Sequence, residues 1–285
     1  MTALASLAVA CGNDESGETA AADAGSLASA SASADDSVGA AAASAAPLCV
    51  DAGPQTPRDI SNPVGVNTVR FELAPPANEM NLCNIHTHTN AEHKGPGFEV
   101  FVGGGVNGGF ACNESDQLTA AELTDPFDGE GAYQGVKPGD TIEVHWVHST
   151  CDVAPGEGLG ACLTDGCSDP LLRVEAQVFL VVNDPDALDF ADFAYRGDTG
   201  SLHQARALPA ATGEPVVFRG STTGPSYDQS QCSPAQVTWS VRPQCARLDI
   251  SSLHRWAAGG NVFNETASHG VRQLVEAPEL LAPIE

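Results

Sequence analysis

Two segments with alternating side chains constrain the fold of this chain more than any other feature. Residues 83–93 read CNIHTHTNAEH, and residues 142–148 read IEVHWVH. Because successive side chains of a strand point to opposite faces, His86 and His88 share one face, about 7 Å apart along the strand. If the second segment is a neighbouring strand, His145 joins them and leaves a fourth tetrahedral position open. The pattern therefore predicts a metal centre of the open, catalytic kind.

Two further histidines compete as ligands. His93 lies five residues after His88, and His148 lies three residues after His145. Both separations are odd, which places these side chains on the opposite strand face if the strands are regular. We therefore predict that His148 has a structural role.

Carboxylates and hydroxyls near these histidines can support a metal centre. Glu143 shares a strand face with His145 and can bond its imidazole, thereby fixing the tautomer. Glu92, four residues after His88, is a second orienting candidate. The turn GSTTGP, residues 220–225, contains two adjacent threonines that can direct a hydroxyl at a metal-bound water and bond onward to a carboxylate.

The charge balance excludes one class of partner. The chain has 12 Lys plus Arg against 37 Asp plus Glu, for a formal net charge of -25. An electrostatic field of that sign repels phosphate backbones. We therefore expect a small-molecule substrate and no nucleic acid.

The amino terminus predicts export. Residues 1–11 resemble the end of a bacterial lipoprotein signal, in which Cys11 is lipidated and becomes the mature terminus; an ordinary cleaved secretory signal is the alternative. Residues 12–46 are almost wholly Ala, Ser, Gly, Asp and Glu, which predicts a disordered tether, although alanine also permits transient helix. We expect a bacterial cell-envelope protein, either periplasmic or an outer-membrane lipoprotein, tethered to a membrane through Cys11.

Eight cysteines follow the tether: Cys49, Cys83, Cys112, Cys151, Cys162, Cys167, Cys232 and Cys245. An even number in an exported chain predicts four disulfides, because exported proteins fold in oxidising compartments. Eight cysteines allow 105 pairings, so sequence alone leaves the connectivity open. The close trio at 151, 162 and 167 could suggest a metal site, but we expect disulfides there too.

Residues 47–285 predict one domain containing many short strands and few helical patterns. We expect a mostly β (α+β) fold on a central twisted, largely antiparallel sheet with a few short helices. Strands are predicted near residues 68–73, 81–89, 98–103, 141–148, 172–184, 215–218 and 236–242, with the strand at 172–184 the longest. Helical turns or helices are predicted at 117–123, 184–194 and 251–258.

Taken together, these motifs resemble the delta-class carbonic anhydrases and, more distantly, the alpha class. In the alpha class an HxH strand is followed by a Glu-His pair, an ExHxxH strand, a GSLTTPP turn and a VTW strand. The same order appears here over roughly residues 54–275, in QTPRDI, HTHTNAEH, IEVHWVH, RVEAQVFLVVND, GSTTGP and CSPAQVTWSVRP. The threonine turn differs, because it has one residue fewer before its threonine pair and only one proline.

The resemblance implies an alpha-carbonic-anhydrase-like fold and a zinc-dependent carbonic anhydrase, in which a zinc-bound hydroxide converts carbon dioxide to bicarbonate reversibly. His86, His88 and His145 would be the zinc ligands, and cobalt or cadmium could replace zinc at the same ligands. Glu143 would support His145, while Thr222 with Glu92 would orient the hydroxide. Thr223 is the neighbouring candidate for that role.

Two alternative functions stay open. His86, His88 and Glu92 also match the start of the iron site in cupin-type metal oxygenases, where Glu92 would bind the metal directly. The later GSTTGP and VTW motifs have no role in a cupin and favour the carbonic anhydrase. A non-catalytic surface metal-binding lipoprotein of the same fold is the other alternative.

Overall fold

The computed structural model of the protein describes residues 47–103 and 106–285. The predicted signal at residues 1–11, with Cys11, and the predicted tether at residues 12–46 lie outside the described residues. Ten strands and one α-helix are assigned in the described part. They are β1 (Asn81–Thr89), β2 (Val100–Phe101), β3 (Phe110–Ala111), β4 (Thr141–Ser149), β5 (Leu172–Val182), β6 (Tyr195–Thr199), β7 (Leu202–Ala205), β8 (Val216–Ser221), β9 (Gln236–Val241), β10 (Ala246–Asp249) and α1 (Ile250–Ala258).

A six-stranded mixed sheet organises the fold. Its order is β1-β4-β5-β9-β8, and β10 also pairs with β5. The pairings of β1 with β4, β4 with β5 and β8 with β9 are antiparallel, whereas β9 and β10 run parallel to β5. The prediction of a mostly β domain on a largely antiparallel sheet is confirmed, and the parallel pairings make the sheet mixed.

Strand β5 is the longest strand, as predicted, and lies at the centre of the sheet. Nine consecutive residues, 174–182, are buried, because both sheet faces are covered by other parts of the chain. A strand covered on both faces needs a nearly continuous apolar run, which is the pattern of VFLVV in this segment. Strand β4 lies between β5 and β1, so the second histidine segment is also fully buried.

Two apolar layers cover the sheet. Trp239 and Phe98 belong to the layer that also contains the buried disulfide sulfurs, and Trp146 and Phe179 belong to the opposite layer. Helix α1 contributes Leu253 to the second layer. Each fully buried apolar side chain stabilises the fold by about 1.5–3 kcal/mol relative to an exposed one. The two tryptophans are therefore core residues on opposite faces of the sheet.

The remaining predicted elements agree with the structure only in part. Residues 68–73 form no strand, because the preceding segment bonds instead to the C-terminal segment: the Asn67 N–H donates to Leu281 O at 2.9 Å. The helical turn predicted near residues 117–123 is present as a single turn, in which the Leu123 N–H donates to Thr119 O at 3.1 Å. The hairpin of β6 and β7 was not predicted, since its sequence lacks apolar alternation. The short capped helix predicted in the segment 184–194 is confirmed as a 3-10 helix, Phe190–Asp192, capped by the Asp189 side chain.

All eight cysteines of the described residues are paired, as predicted. The pairs are Cys49–Cys232, Cys83–Cys162, Cys112–Cys245 and Cys151–Cys167. Four disulfides indicate folding in an oxidising, extracellular type of environment. Within the described part of the chain, no helix has the length and apolar character needed to cross a membrane.

Candidate metal centre

The register of β1 and β4 brings three histidines together. His86 lies directly opposite His145, and His88 lies opposite Glu143. One ring nitrogen from each of His86, His88 and His145 lies within 4.8 Å of the other two. These three side chains are therefore close enough to bind a single ion.

Hydrogen bonds select which ring nitrogens are available. The Nδ1–H of His86 donates to Asn84 Oδ1 at 2.7 Å, which leaves Nε2 of His86 as the lone-pair nitrogen. That Nε2 lies 3.3 Å from Nδ1 of His145. Both ring nitrogens of His88 are buried and have no hydrogen-bond partner among the described residues. Unsatisfied buried nitrogens are costly, and a bound cation would satisfy them.

Glu143 lies beside both His145 and His93. Its Oε1 lies 3.3 Å from Nε2 of His145 and 2.9 Å from Nδ1 of His93, and its Oε2 accepts the Glu92 backbone N–H at 2.7 Å. Burial opposes ionisation of Glu143, but the neighbouring His93 and His145 hold its pKa well below the usual value. Nδ1 of His145 faces Nε2 of His86, and a His145 tautomer that carries its proton on Nε2, beside this carboxylate, would leave Nδ1 free to bind a metal.

Burial also keeps the three histidines neutral. Desolvation lowers the pKa of His86 and His88 well below the usual value, and their proximity to His145 adds to the shift. Burial likewise lowers the pKa of His145. Neutral imidazole is the form that ligates a metal, so this environment favours metal over proton at these nitrogens.

Glu92 lies behind the histidines. Its Oε2 is 3.5 Å from Nδ1 of His88, and its Oε1 is 3.8 Å from Nε2 of His145. Burial raises the pKa of Glu92 well above its usual value, the charge of Glu143 adds to that shift, and Thr223 and Arg272 act in the opposite direction. The Thr223 hydroxyl and the Arg272 backbone N–H lie against this carboxylate, although neither oxygen of Glu92 makes a hydrogen bond of full geometry.

A second group of potential ligands overlaps the first. Glu92, His93 and His145 also bring one ligand atom each within 4.8 Å of one another. However, Nδ1 of His93 is already bonded to Glu143, and the His93 ring packs 4.7 Å from Trp239. Neither Glu92 nor His93 lines the cavity that contains the three histidines. Of the two groups, His86, His88 and His145 are therefore the one whose side chains line a cavity and could hold a metal ion there.

The cavity above the three histidines has a volume of about 290 Å³. One part of its lining is the threonine turn, with Thr222 and Thr223, and another is His269. The remaining wall is largely apolar and includes Val147, Leu159, Cys162, Leu172, Val174, Val237 and Trp239. A small apolar molecule can therefore approach the open position without displacing polar groups.

The two threonines have different partners. The Thr222 hydroxyl is 2.6 Å from Ser233 Oγ, and the Thr222 backbone N–H donates to Ala235 O. The Thr223 hydroxyl, in contrast, lies against Glu92. The pairing of Thr222 with Glu92 implied by the resemblance stays a prediction, and these contacts make Thr223 the alternative partner.

The histidines outside the triad occupy distinct environments. His148 lines a separate cavity with Arg196 and Arg206, and its Nδ1–H donates to Trp146 O. His254 accepts the Tyr133 backbone N–H in the core.

His269 also lies near the three histidines; the sequence offers it only as one of three histidines, with His203 and His254, in loop-like segments that could relay protons or simply face solvent. It pairs with His88 in a β-bridge, and its Nε2 lies 3.1 Å from Glu265 Oε2. No local signal reveals this position, because it lies more than 180 residues after His88 in the chain.

The fold and the site together define a class: a mostly β, disulfide-bonded protein in which three histidines that could hold a metal ion lie under a partly apolar cavity. Residues 77–252, more than half of the chain, match the family model for delta carbonic anhydrase, and the chain belongs to that family. The matched range contains both histidine strands and the threonine turn. No curated protein sequence matches the chain.

One solved structure shows limited similarity. It is an alpha-carbonic anhydrase from Thermovibrio ammonificans in complex with the inhibitor sulfanilamide. The two chains are 17% identical, the match covers 75% of this chain and 82% of the other, and the TM-score is 0.25.

Proposed function

We propose that this protein is a zinc-dependent carbonic anhydrase that interconverts carbon dioxide and bicarbonate. The observation that carries the proposal is the set of His86, His88 and His145, which converge beneath an open cavity in a member of this family. A catalytic zinc ion typically has three protein ligands and a fourth coordination position for water or substrate, and three histidine nitrogens beneath a cavity suit that arrangement. Cobalt or cadmium could occupy the same nitrogens.

The residues present fit a divalent metal. His86 would bind through Nε2, because Asn84 holds its Nδ1, and His145 would bind through Nδ1, because Glu143 holds its Nε2. When bound, the metal supplies a hydroxide nucleophile near neutral pH by lowering the pKa of a coordinated water, the effect for which carbonic anhydrases are the standard example. A cation here also favours the ionised form of the nearby Glu92.

Thr223 is proposed to orient the nucleophile. Its hydroxyl lies against Glu92 and borders the cavity. If that hydroxyl donates its proton to the carboxylate, its oxygen is left to accept a hydrogen bond from the nucleophile. This holds the nucleophile in one orientation, with a lone pair directed at the substrate.

The apolar wall is proposed to hold carbon dioxide. Val147, Val174 and Trp239 line the cavity beside the three histidines. Carbon dioxide has no net dipole, so its transfer from water to an apolar surface is favourable in free energy. Bicarbonate is charged, so the same transfer is unfavourable for the product. The same wall therefore favours substrate binding and product release.

We further propose export and lipidation at Cys11, with the tether holding the catalytic domain at the cell envelope. The four disulfides support an oxidising compartment. Lipidation itself is supported only by the amino-terminal sequence pattern.

The direct test of the activity is stopped-flow carbon dioxide hydration with metal content measured on the same sample. We expect fast hydration that is lost on chelation and restored by zinc. A folded, zinc-loaded protein without hydration activity would favour the non-catalytic metal-binding lipoprotein. Iron in the purified protein together with oxygenase activity would favour the cupin alternative.

A further inference from the structure

A buried arginine joins three distant parts of the chain behind the metal centre. Arg272 is 1% exposed. Its Nη1 donates to Gln55 Oε1 at 3.1 Å and to Thr56 O at 2.6 Å, and its Nη2 donates to Asp228 O at 2.8 Å. Asp228 lies at the end of the segment that contains the threonine turn, so this guanidinium reaches that segment directly.

Gln55 extends the contact to the beginning of the turn. Its Oε1 accepts the Ser221 hydroxyl at 3.3 Å and the Ser233 backbone N–H at 2.8 Å, while its Nε2 donates to Ser233 O. Ser233 in turn bonds the Thr222 hydroxyl. Nη1 of Arg272 also approaches Ser221 Oγ at 3.4 Å. The two side chains together hold both ends of the segment 221–228.

The geometry requires arginine in particular. The guanidinium donates hydrogen bonds to acceptors that lie in different directions, among them Gln55 Oε1 and Asp228 O. It also lies 5.6 Å from the centre of the Tyr227 ring. A lysine ammonium is a single point charge and cannot reproduce this planar fork. Burial lowers the pKa of Arg272 to about 10, with Glu92 and Asp228 acting in the opposite direction, so it remains charged at neutral pH.

We propose that Arg272 is a positioning residue: acting through Gln55 and Asp228, it holds the turn that places Thr223 against Glu92. The inference rests on the proposed function, because Thr223 is assigned there to orient the nucleophile. The Arg272 side chain neither lines the cavity of the three histidines nor hydrogen-bonds any of them in the described structure. Its backbone N–H lies against Glu92, but Arg272→Lys retains that contact.

Arg58 provides a matched control. It is also fully buried, it donates to the Ala282, Asn62 and Val64 carbonyls, and it lies 5.5 Å from the centre of the Phe218 ring. None of these bonds reaches the threonine turn. We expect Arg272→Lys and Arg58→Lys both to lower the melting temperature and both to retain one zinc per chain.

Only the Arg272 variant should lose activity. We expect Arg272→Lys to lower kcat/KM for hydration by about tenfold to a hundredfold, because small displacements of an orienting group have effects of that size. Gln55→Met should show the same loss with zinc retained, which keeps the inference testable if the arginine variant does not fold. Equal activity losses in the Arg272 and Arg58 variants would overturn the proposal.

A double-variant cycle separates positioning from general destabilisation. If Arg272 acts through Thr223, the double variant Thr223→Ala, Arg272→Lys should be no slower than Thr223→Ala alone. Combining Thr223→Ala with Arg58→Lys should instead multiply their separate effects. A fully multiplicative Arg272 cycle would contradict the inference.

Hydrogen exchange tests the same contact without using activity. The Thr222 backbone N–H donates a hydrogen bond to Ala235 O. Its hydrogen exchange should be faster in Arg272→Lys than in the wild type, and its exchange rate in Arg58→Lys should equal that of the wild type. Unchanged exchange in the Arg272 variant would overturn the positioning role. An inactive wild type would refute the proposed function instead, and exchange would still decide whether Arg272 holds the turn.

Discussion

His86 and His145 face each other across the antiparallel pair β1 and β4, with Nε2 of the first 3.3 Å from Nδ1 of the second. Each nitrogen is available because a neighbouring oxygen, from Asn84 or Glu143, occupies the other side of the ring. The two imidazoles are therefore already arranged for one ion, through different nitrogens. A rigid arrangement of this kind reduces the ordering cost of metal binding.

The first prediction concerns the ligand set. His145→Ala should reduce zinc from about one per chain to near zero and abolish hydration, because two imidazoles cannot complete the tetrahedral site. His148→Ala is the control, since His148 lines a separate cavity. Metal analysis of both purified variants checks the prediction, and equal zinc loss from both would refute the ligand assignment.

The second prediction distinguishes the two threonines. Thr223→Ala should keep zinc and lower kcat by about a hundredfold, the typical effect of removing one oriented hydrogen-bonding group at a reacting centre. Thr222→Ala should have a much smaller effect, since its hydroxyl bonds Ser233. Steady-state hydration kinetics with metal analysis provide the measurement, and the reverse order of effects would assign the orienting role to Thr222.

The third prediction concerns pH and stability. Burial lowers the pKa of His148 to about 4, below the ordinary value of 6.5, so the folded state binds fewer protons than the unfolded state between these pH values. Stability should therefore fall as the pH decreases through this window, by up to about 3 kcal/mol from His148 alone. Urea unfolding at pH 7 and pH 4 should show a smaller decrease for His148→Gln. An identical decrease would exclude this contribution.

The fourth prediction concerns the disulfide beside the cavity. The disulfide Cys83–Cys162 joins β1 to the 3-10 helix Leu159–Cys162, and its two cysteines are 79 residues apart in the sequence. The cysteines of the disulfide Cys151–Cys167 are only 16 residues apart. Replacing both cysteines of the first pair with alanine should destabilise the protein by about 4 kcal/mol, against about 3 kcal/mol for the second pair, because the longer loop has more entropy when unfolded. Chemical denaturation gives the free energy of unfolding of the two double variants. A larger loss for the Cys151–Cys167 pair than for the Cys83–Cys162 pair would contradict the prediction.

The fifth prediction concerns the amino terminus. Cells that express the full chain should incorporate labelled palmitate into it, and Cys11→Ser should remove the label, because the thiol at that position is the proposed acceptor. Labelling that persists in the variant would place the lipid elsewhere. Absence of label from the wild type together with export would favour the ordinary secretory signal.

The sequence by itself determined the main features of the metal centre. Strand periodicity is a local property, so the spacing of His86 and His88 and the alternation around His145 were sufficient to predict one shared face. The same periodicity placed Glu143 beside His145. The apolar run VFLVV, residues 178–182, likewise has the pattern of a central strand covered on both faces.

Only the tertiary structure decided the remainder. The disulfide pairing, the partner of each threonine and the positions of His269 and Arg272 depend on contacts between residues far apart in the chain. Sequence spacing says nothing about such contacts, because loop paths and turn geometry determine them. The Thr222–Thr223 turn illustrates the limit: its motif is visible in the sequence, but only the fold places Ser233 beside Thr222 and Thr223 beside Glu92.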